Sequence, residues 1–226
     1  MITVGRLVAL LLCVLALPLH LIICILIRLN DGHPAIYRCE RLGRFGTPYV
    51  LFKYRTMRVG CPALVQSGFK TVVQKADPRV TQVGRFLRCG IDELPQLWNI
   101  VRGEMTWIGP RPDESWMLPN YGPNSKERLM IAPGITGMAQ VLDSRSQPTA
   151  VGYAIDLWYR RHATIVDDLW VICTTPLFIL GQRSPGQLYL THLMQVPEFT
   201  NLVSSCKSEL DDAERRTTVH TERLTK

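Results

Sequence analysis

The sequence predicts an α+β fold: a helix-rich small domain with a short β-hairpin, preceded by a helix that inserts into a membrane. Three observations predict it. The chain opens with an apolar, uncharged stretch from Leu7 to Ile27, a strand-like run follows at Tyr49–Phe52, and helical periodicity dominates after Gly152. The 226 residues suffice for one medium domain, a membrane segment and a tail. We place these at residues 30–203, 1–29 and 204–226, and we expect the polar tail to be flexible.

The apolar segment over residues 7–27 is long enough to cross a bilayer, since a spanning helix needs about 20 apolar residues. Pro18 near its middle lacks an N–H and predicts a break or kink. Arg6 precedes the segment and Arg28 follows it, so flanking charge gives no orientation. A break at Pro18 would keep both basic flanks on one face, as in a re-entrant hairpin. A spanning helix and a re-entrant helix both remain open, whereas a cleaved signal peptide usually has a shorter apolar core of about 7–15 residues.

Charge and cysteine content narrow the class of protein. The formal net charge is +7 and the pI is about 9.2, which predicts an anionic partner such as a lipid headgroup or a phosphorylated substrate. The seven cysteines contain no Cys-x-x-Cys pair, which argues against a disulfide framework or a zinc knuckle. Scattered free thiols fit a reducing compartment, so we expect the globular part to face the cytosol. The basic residues are not interleaved with aromatic ones, so no nucleic-acid partner is expected.

Three later segments have helical character, namely part of Val83–Asn99, Gly152–Arg161 and Thr164–Leu180. Pro95 fits the first turn of a helix in the first of them. The third carries Ile165, Leu169 and Ile172 at helical spacing. Such a helix lies either in the membrane interface or in the core, and its periodicity leaves both explanations open. The segment 59–76 predicts a loop or a short helix.

Two adjacent carboxylates, Asp92 and Glu93, occur in a part of the chain rich in arginine. The nearby arginines are Arg79, Arg85, Arg88, Arg102 and Arg111. Adjacent carboxylates are common on solvated helix faces, which is the ordinary explanation of such a pair. Arginine, however, offers a planar fork that suits phosphate oxygens, and carboxylates among such cations can bind a divalent cation or act as a nucleophile. Mg²⁺ needs only one or two carboxylates when substrate phosphates supply further ligands.

Further cations lie in two short motifs. Lys53 and Arg55 alternate at the end of the predicted strand, so both lie on one face, where they suit a diphosphate or protect an edge strand. In Gly109–Pro112, two prolines flank Arg111 and fix the backbone around it. The motif either orients the Arg111 cation for binding or is a plain turn with a solvated arginine. The glycines of Pro133–Gly137 predict a tight turn.

Taken together and in order, these segments resemble the bacterial sugar transferase family, also called monotopic phosphoglycosyl transferases, over about residues 1–180. The resemblance is strongest in Asp77–Arg88, Asp92–Asn99, Gly103–Met105 and Gly109–Pro112. Further similar motifs are Asp31–Tyr37, Arg41–Gly46, Phe52–Met57 and Pro133–Val141. A match this long, with its motifs in the family's order, is specific.

The resemblance implies an enzyme that transfers a sugar-1-phosphate from a UDP-sugar to a polyprenyl phosphate, such as undecaprenyl phosphate, and initiates glycan or exopolysaccharide synthesis. It implies that Asp92 attacks the β-phosphorus, forms an aspartyl phosphosugar and releases UMP, and that Glu93 and Asp92 hold Mg²⁺. Substrate-binding roles are implied for Arg111, Lys53, Arg55 and Arg88. The implied location is the cytoplasmic face of the bacterial inner membrane, in contact with membrane lipid.

Two alternatives remain beside an active enzyme. A non-catalytic, membrane-anchored scaffold would use the basic face to dock a partner, and it would leave Asp92 and Glu93 as a solvated pair. A degenerate, inactive member of the same family is the other, and the presence of both carboxylates and of Arg111 argues against it.

Overall fold

The structure is a computed structural model that describes residues 3–61, 65–66, 70–71, 77–142, 147–181 and 184–224. The helices are α1 Val4–Leu15, α2 Leu17–Asp31, α3 Gln82–Leu87, α4 Gln96–Arg102, α5 Pro123–Arg128, α6 Met138–Val141, α7 Thr149–His162, α8 Ile165–Ile179, α9 Ser184–Leu193 and α10 Pro197–Leu224. The strands are β1 Ile36–Leu42, β2 Pro48–Tyr54, β3 Val65–Gln66, β4 Lys70–Thr71, β5 Thr106–Ile108 and β6 Gly134–Thr136. The predicted helix-rich α+β class is confirmed. Most of the segment 59–76 lies outside the described residues, although β3 and β4 pair antiparallel within it.

The predicted strand lies within a β-hairpin. β1 and β2 pair antiparallel over their full lengths, and β2 contains Tyr49–Phe52. Asn99 of α4 is fully buried against this hairpin. Its Nδ2 donates to the Val50 carbonyl at 2.7 Å, and its Oδ1 accepts from the Phe52 N–H at 3.2 Å. The Asn99 amide therefore hydrogen-bonds β2 as a neighbouring strand would, and it fixes α4 relative to the end of β2.

The two N-terminal helices are joined at Ala16 and their axes are bent by 59°. Pro18 lies in the first turn of α2, where a missing N–H leaves no hydrogen bond unmade, and the predicted break at this proline is confirmed. In the described part of the chain, no helix taken singly has the length and apolar character to cross a membrane. The bent pair α1–α2 meets both criteria when the two helices are taken together.

Each N-terminal helix packs on the domain along one side only. Ala9 of α1 is fully buried in a cluster with Ile100 of α4. Ile27 of α2 is buried with Tyr54 and Leu87. Most other aliphatic side chains of the two helices are exposed. The pair therefore presents a broad apolar surface on the side that faces away from the domain.

The largest apolar cluster surrounds α7, and α6, α8, α9 and α10 all contribute to it. Its fully buried members include Ala154, Ile155, Leu157, Val171 and Phe199. α8 contributes Val171 on one side and exposes Ile165, Val166, Leu169, Ile172 and Ile179 on the other. One face of α8 thus lies in the core, and the exposed face is also apolar.

The C-terminal part of the chain, for which we expected a polar tail, is helical in the structure. α10 runs from Pro197 to Leu224 across the proposed boundary at residue 204. Cys206 and Ala213 are buried, and α10 packs along α7. The two buried positions are seven residues apart and so lie on one helix face. This narrow stripe is sufficient for packing although the other positions are mostly polar.

Candidate active site

The carboxylate pair lies on a 3₁₀ turn, Ile91–Glu93, between α3 and α4. Gly90 precedes the turn with a φ of 106°, a left-handed conformation that glycine adopts without strain. Pro95 follows as the N-cap of α4. The 3₁₀ turn reverses the chain between α3 and α4. Because Asn99 fixes α4 on the hairpin, this turn places Asp92 and Glu93 beside the end of β2.

Glu93 lies between two cations. Its Oε1 is 2.6 Å from the Lys53 Nζ and 3.5 Å from the Arg111 Nη1. The Lys53 and Glu93 side chains are 17% and 20% exposed, whereas that of Arg111 is 42% exposed. Burial, together with the charge of Arg111, lowers the pKa of Lys53, and Glu93 opposes this shift. Glu93 therefore holds together two positive charges that would otherwise repel each other.

Asp92 is a partly desolvated carboxylate beside the same cations. Burial raises its pKa, the positive charge of Lys53 lowers it, the neighbouring Glu93 raises it and Arg88 lowers it. The net shift is upward. A half-buried carboxylate close to fixed cations suits nucleophilic attack on a phosphate.

Arg111 is carried on a loop held by close backbone contacts. β5 and β6 pair parallel, and the Gly134 N–H donates to the Pro110 carbonyl at 3.0 Å. A Cβ on Gly134 would lie only 2.1 Å from the Gly109 nitrogen, so no larger residue fits there. The motif Pro133–Gly137 therefore contains a short strand, and not only the predicted turn. Its partner strand lies far away in the sequence, which is why local residues did not indicate the pairing.

A buried ion group holds the same loop from the other side. The Arg128 Nη2 donates to the Arg111 carbonyl at 2.5 Å. The Arg128 side chain is only 4% exposed, and it pairs with Asp113 at 2.5 Å and with Asp156 at 2.6 Å. Burial lowers the pKa of Arg128, but the two carboxylates outweigh it and raise the pKa overall. Tyr153 also donates to Asp113, at 2.9 Å.

Arg88 approaches the pair from the end of α3. Its Nε donates to the Thr56 Oγ1 at 3.2 Å. Burial lowers the pKa of Arg88, and the charge of Asp92 opposes that shift. The structure thus brings together Asp92, Glu93, Lys53, Arg88 and Arg111, which we name the carboxylate–cation group.

Arg55 is a predicted site residue whose contacts in the structure are with the end of α2. Its Nη1 donates to the Asp31 carboxylate at 2.7 Å, and its Nη2 donates to the carbonyls of Asp31 and Gly32 at 2.9 and 2.7 Å. Alternation does put Lys53 and Arg55 on one strand face, but α2 ends beside Arg55 and engages its guanidinium. Lys53 thus contacts Glu93 while Arg55 caps the end of α2, and the substrate-binding role implied for Arg55 stays a prediction.

Comparison with known proteins identifies the family. The family model described as "Bacterial sugar transferase" matches residues 2–182 of the chain. The chain belongs to this family. The match includes the whole carboxylate–cation group and helices α1 to α8, and it ends before α9 and α10.

Several curated proteins are similar to this bacterial sugar transferase. A UDP-galactose-lipid carrier transferase of Erwinia amylovora is 34% identical over 167 residues, covering 69% of this chain and 35% of that protein. The exopolysaccharide production protein ExoY of Sinorhizobium fredii is 34% identical over 191 residues, covering 79% and 84%. A UDP-glucose:undecaprenyl-phosphate glucose-1-phosphate transferase of Caulobacter vibrioides is 37% identical over 178 residues, covering 74% and 64%. The chain spans about a third of the length of the carrier transferase and of two similar relatives.

The site of this sugar transferase includes a residue that sequence analysis did not single out. A cavity of about 20 Å³ is lined by Arg41, Lys53, Glu93, Gln96, Arg111 and Gln140, among others. Arg41 is held by Glu114, whose Oε1 lies 3.2 Å from the Arg41 Nη1. The sequence did contain an indication of this role, because Arg41 is the first residue of the family-like motif Arg41–Gly46. Arg41 is about 50 residues before Asp92 and Glu93, however, so the sequence did not show that it lies beside them.

The carboxylate pair of this sugar transferase has suitable donors for Mg²⁺. Within the described residues, no three or more His, Cys, Asp or Glu side chains form a group that could hold a metal ion. Mg²⁺ does not need such a group, because it commonly uses one or two protein carboxylates together with waters and substrate phosphates. Asp92 and Glu93 supply hard oxygen donors of this kind. Lys53 already contacts one Glu93 oxygen, so a bound cation would share that carboxylate with it.

Proposed function

We propose that this bacterial sugar transferase moves a sugar-1-phosphate from a UDP-sugar to a polyprenyl phosphate, such as undecaprenyl phosphate, and so initiates glycan synthesis. One observation carries the proposal: the desolvated Asp92 and its neighbour Glu93 lie among Lys53, Arg88 and Arg111. A nucleophile among fixed cations is what phosphoryl transfer requires. The names of the Erwinia and Caulobacter relatives support a UDP-sugar donor and a lipid acceptor.

In the proposed first step, a carboxylate oxygen of Asp92 attacks the β-phosphorus of the UDP-sugar. A bond forms between that oxygen and the phosphorus. The bond from the β-phosphorus to the bridging oxygen of the diphosphate breaks, and UMP leaves with this oxygen. Lys53, Arg88 and Arg111 stabilise the negative charge that develops on the phosphate oxygens.

In the proposed second step, an oxygen of the polyprenyl phosphate attacks the same phosphorus. The new bond to the lipid phosphate forms, the bond to Asp92 breaks, and the free carboxylate is restored. UMP leaves in the first step and a lipid phosphate enters in the second, so the same cations can bind both groups in turn. Mg²⁺ held by Glu93 and Asp92 would supply additional positive charge to the diphosphate oxygens.

The proposed location is the cytoplasmic face of the bacterial inner membrane, with α1 and α2 inserted as a re-entrant pair. The bend at Ala16 and the exposed aliphatic side chains of both helices support the insertion as a re-entrant pair. The exposed apolar face of α8 is suited to the membrane interface. A lipid phosphate lies at that depth, so the arrangement would give the acceptor a short path to Asp92.

UMP release tests the proposed function directly. The full chain in detergent is incubated with a panel of UDP-sugars, Mg²⁺ and undecaprenyl phosphate, and UMP is measured. We expect UMP from at least one donor, together with a lipid-linked sugar diphosphate and loss of turnover when Mg²⁺ is chelated. A folded protein that releases no UMP from any donor would contradict the proposal.

The pH dependence of this reaction should respond to Lys53. Asp92 must be ionised to attack, so activity rises as the pH increases through its pKa. Lys53 lowers that pKa, and its removal should therefore move the acid limb of kcat/KM to higher pH in Lys53→Met. Lys53→Arg keeps the positive charge and should leave the acid limb close to that of the wild type. An unchanged acid limb in Lys53→Met would mean that Asp92 is not the group that titrates.

A further inference from the structure

The C-terminal helix α10 contributes one carboxylate to the start of α5. The Glu209 Oε1 accepts from the Gly122 N–H at 3.1 Å and from the Ser125 N–H at 3.0 Å, and its Oε2 accepts from the Asn124 N–H at 2.8 Å. The Ser125 hydroxyl also donates to Oε1, at 2.5 Å. A single carboxylate thus satisfies the unpaired N–H groups at the beginning of this short helix.

The other end of α5 reaches the carboxylate–cation group. Arg128 is the last residue of α5, and its guanidinium holds the Arg111 carbonyl at 2.5 Å and the Asp113 carboxylate at 2.5 Å. α5 is only six residues long, so a shift at its first turn would displace Arg128 as well. Glu209 and Arg111 are thereby connected through one rigid turn and one buried side chain.

The close approach of Glu209 also explains why a glycine suits position 122. A Cβ on Gly122 would lie 2.5 Å from both the Cδ and the Cγ of Glu209. The space that a side chain would occupy is filled by the glutamate instead. Because the family match ends at residue 182, this contact comes from a part of the chain that the family model does not cover.

We propose that Glu209 is a positioning residue for Arg111, acting through α5 and Arg128, so that the C-terminal helix sets the geometry of the phosphate-binding arginine. This inference rests on the proposed function for its effect on catalysis, whereas the physical connection stands independently of it. The Arg111 side chain is 42% exposed and its one contact with Glu93 is long, at 3.5 Å, so its position depends on where its backbone is held. The hydrogen bond from Arg128 to the Arg111 carbonyl limits the positions that Arg111 can take before the substrate binds.

The catalytic arm of the test is a double-mutant cycle. In Glu209→Ala, we expect kcat/KM for the UDP-sugar to fall about tenfold, because small displacements of a positioning group weaken phosphate stabilisation. In an Arg111→Ala background, the same change should alter kcat/KM by no more than about twofold, since the group it positions is already absent. Gly122→Ala should resemble Glu209→Ala, and Glu209→Gln, which keeps an acceptor oxygen, should recover part of the activity. Equal losses in both backgrounds would overturn the inference.

Hydrogen exchange provides a second arm that does not require activity. Glu209→Ala should speed exchange of the amides of Gly122, Asn124 and Ser125, which donate to Glu209, and also of Leu42, whose N–H donates to the Asp113 carbonyl at 2.9 Å. Faster exchange at Gly122, Asn124 and Ser125 alone, with Leu42 unchanged, would mean that Glu209 is a local cap and would contradict the proposal. Asp211→Asn, an exposed acid on the same helix, is the matched control and should change neither measurement. If the wild type releases no UMP, the proposed function is wrong. The hydrogen-exchange experiment still tests whether Glu209 is connected to the Arg111 loop through α5 and Arg128.

Discussion

The Asp92→Asn protein is expected to release UMP at least about 1000-fold more slowly than the wild type, because the amide lacks the anionic oxygen that attacks phosphorus. Asparagine has nearly the same size as aspartate, so Lys53 and Glu93 should keep their contact at 2.6 Å. Removing a carboxylate whose pKa is raised by burial also relieves a desolvation penalty, so thermal stability should not decrease.

A covalent label gives the most direct readout of this variant. With a UDP-sugar carrying radioactive β-phosphorus and without lipid acceptor, the wild type should retain label after denaturation. Hydroxylamine should release that label, because it cleaves acyl phosphates. The Asp92→Asn protein should carry none.

The matched control for Asp92 is Asp211→Asn, which makes the same chemical change on the exposed side of α10. It should behave as the wild type in both assays. The scaffold hypothesis predicts that Asp92→Asn also behaves as the wild type in both assays. Undiminished UMP release in Asp92→Asn would exclude Asp92 as the nucleophile, and another carboxylate would then have to be sought.

Arg128→Met is expected to reduce the free energy of unfolding by about 3–5 kcal/mol, the range measured when one partner of a buried ion pair is removed. The change would leave Asp113 and Asp156 without their shared cation, and the Asp156 side chain is only 6% exposed. Denaturant titration in detergent, monitored by fluorescence, measures the difference. Activity should fall as well, since the Arg111 carbonyl loses its donor.

Arg160→Met is the matched control for this prediction. Arg160 lies on α7 and pairs with Glu127 at 2.5 Å, but its side chain is 28% exposed. Exposed ion pairs contribute about 0–1 kcal/mol, so this change should have a small effect. Similar decreases in the free energy of unfolding in Arg128→Met and Arg160→Met would mean that the buried ion pairs of Arg128 contribute no more to stability than an exposed ion pair.

Features governed by local chemistry could be predicted from the sequence. The break at Pro18 follows from a missing N–H, and the strand at Tyr49–Phe52 follows from aromatic and β-branched side chains. The grouping of Asp92 and Glu93 with cations follows from the density of arginine near them, and the order of motifs led to the family that the comparisons confirm.

Features that depend on distant partners could not be predicted in this way. Alternation predicts the direction of the Arg55 side chain directly after β2, but its contact with Asp31 is a tertiary contact. Pro133–Gly137 forms a strand only because β5 is available beside it. In α10, Cys206 and Ala213 mark a narrow buried stripe that the surrounding charged residues obscured.

The contact between Arg55 and the end of α2 has a mechanical consequence. Arg55 directly follows β2, and Lys53, two residues earlier on that strand, contacts Glu93 at 2.6 Å. A tilt of α2 would move Asp31, and the guanidinium of Arg55 would transmit that movement to the strand that orients the carboxylates. In the proposed membrane-inserted arrangement, a change in bilayer thickness or lateral tension would therefore shift Lys53 and the carboxylates, without any lid that opens or closes.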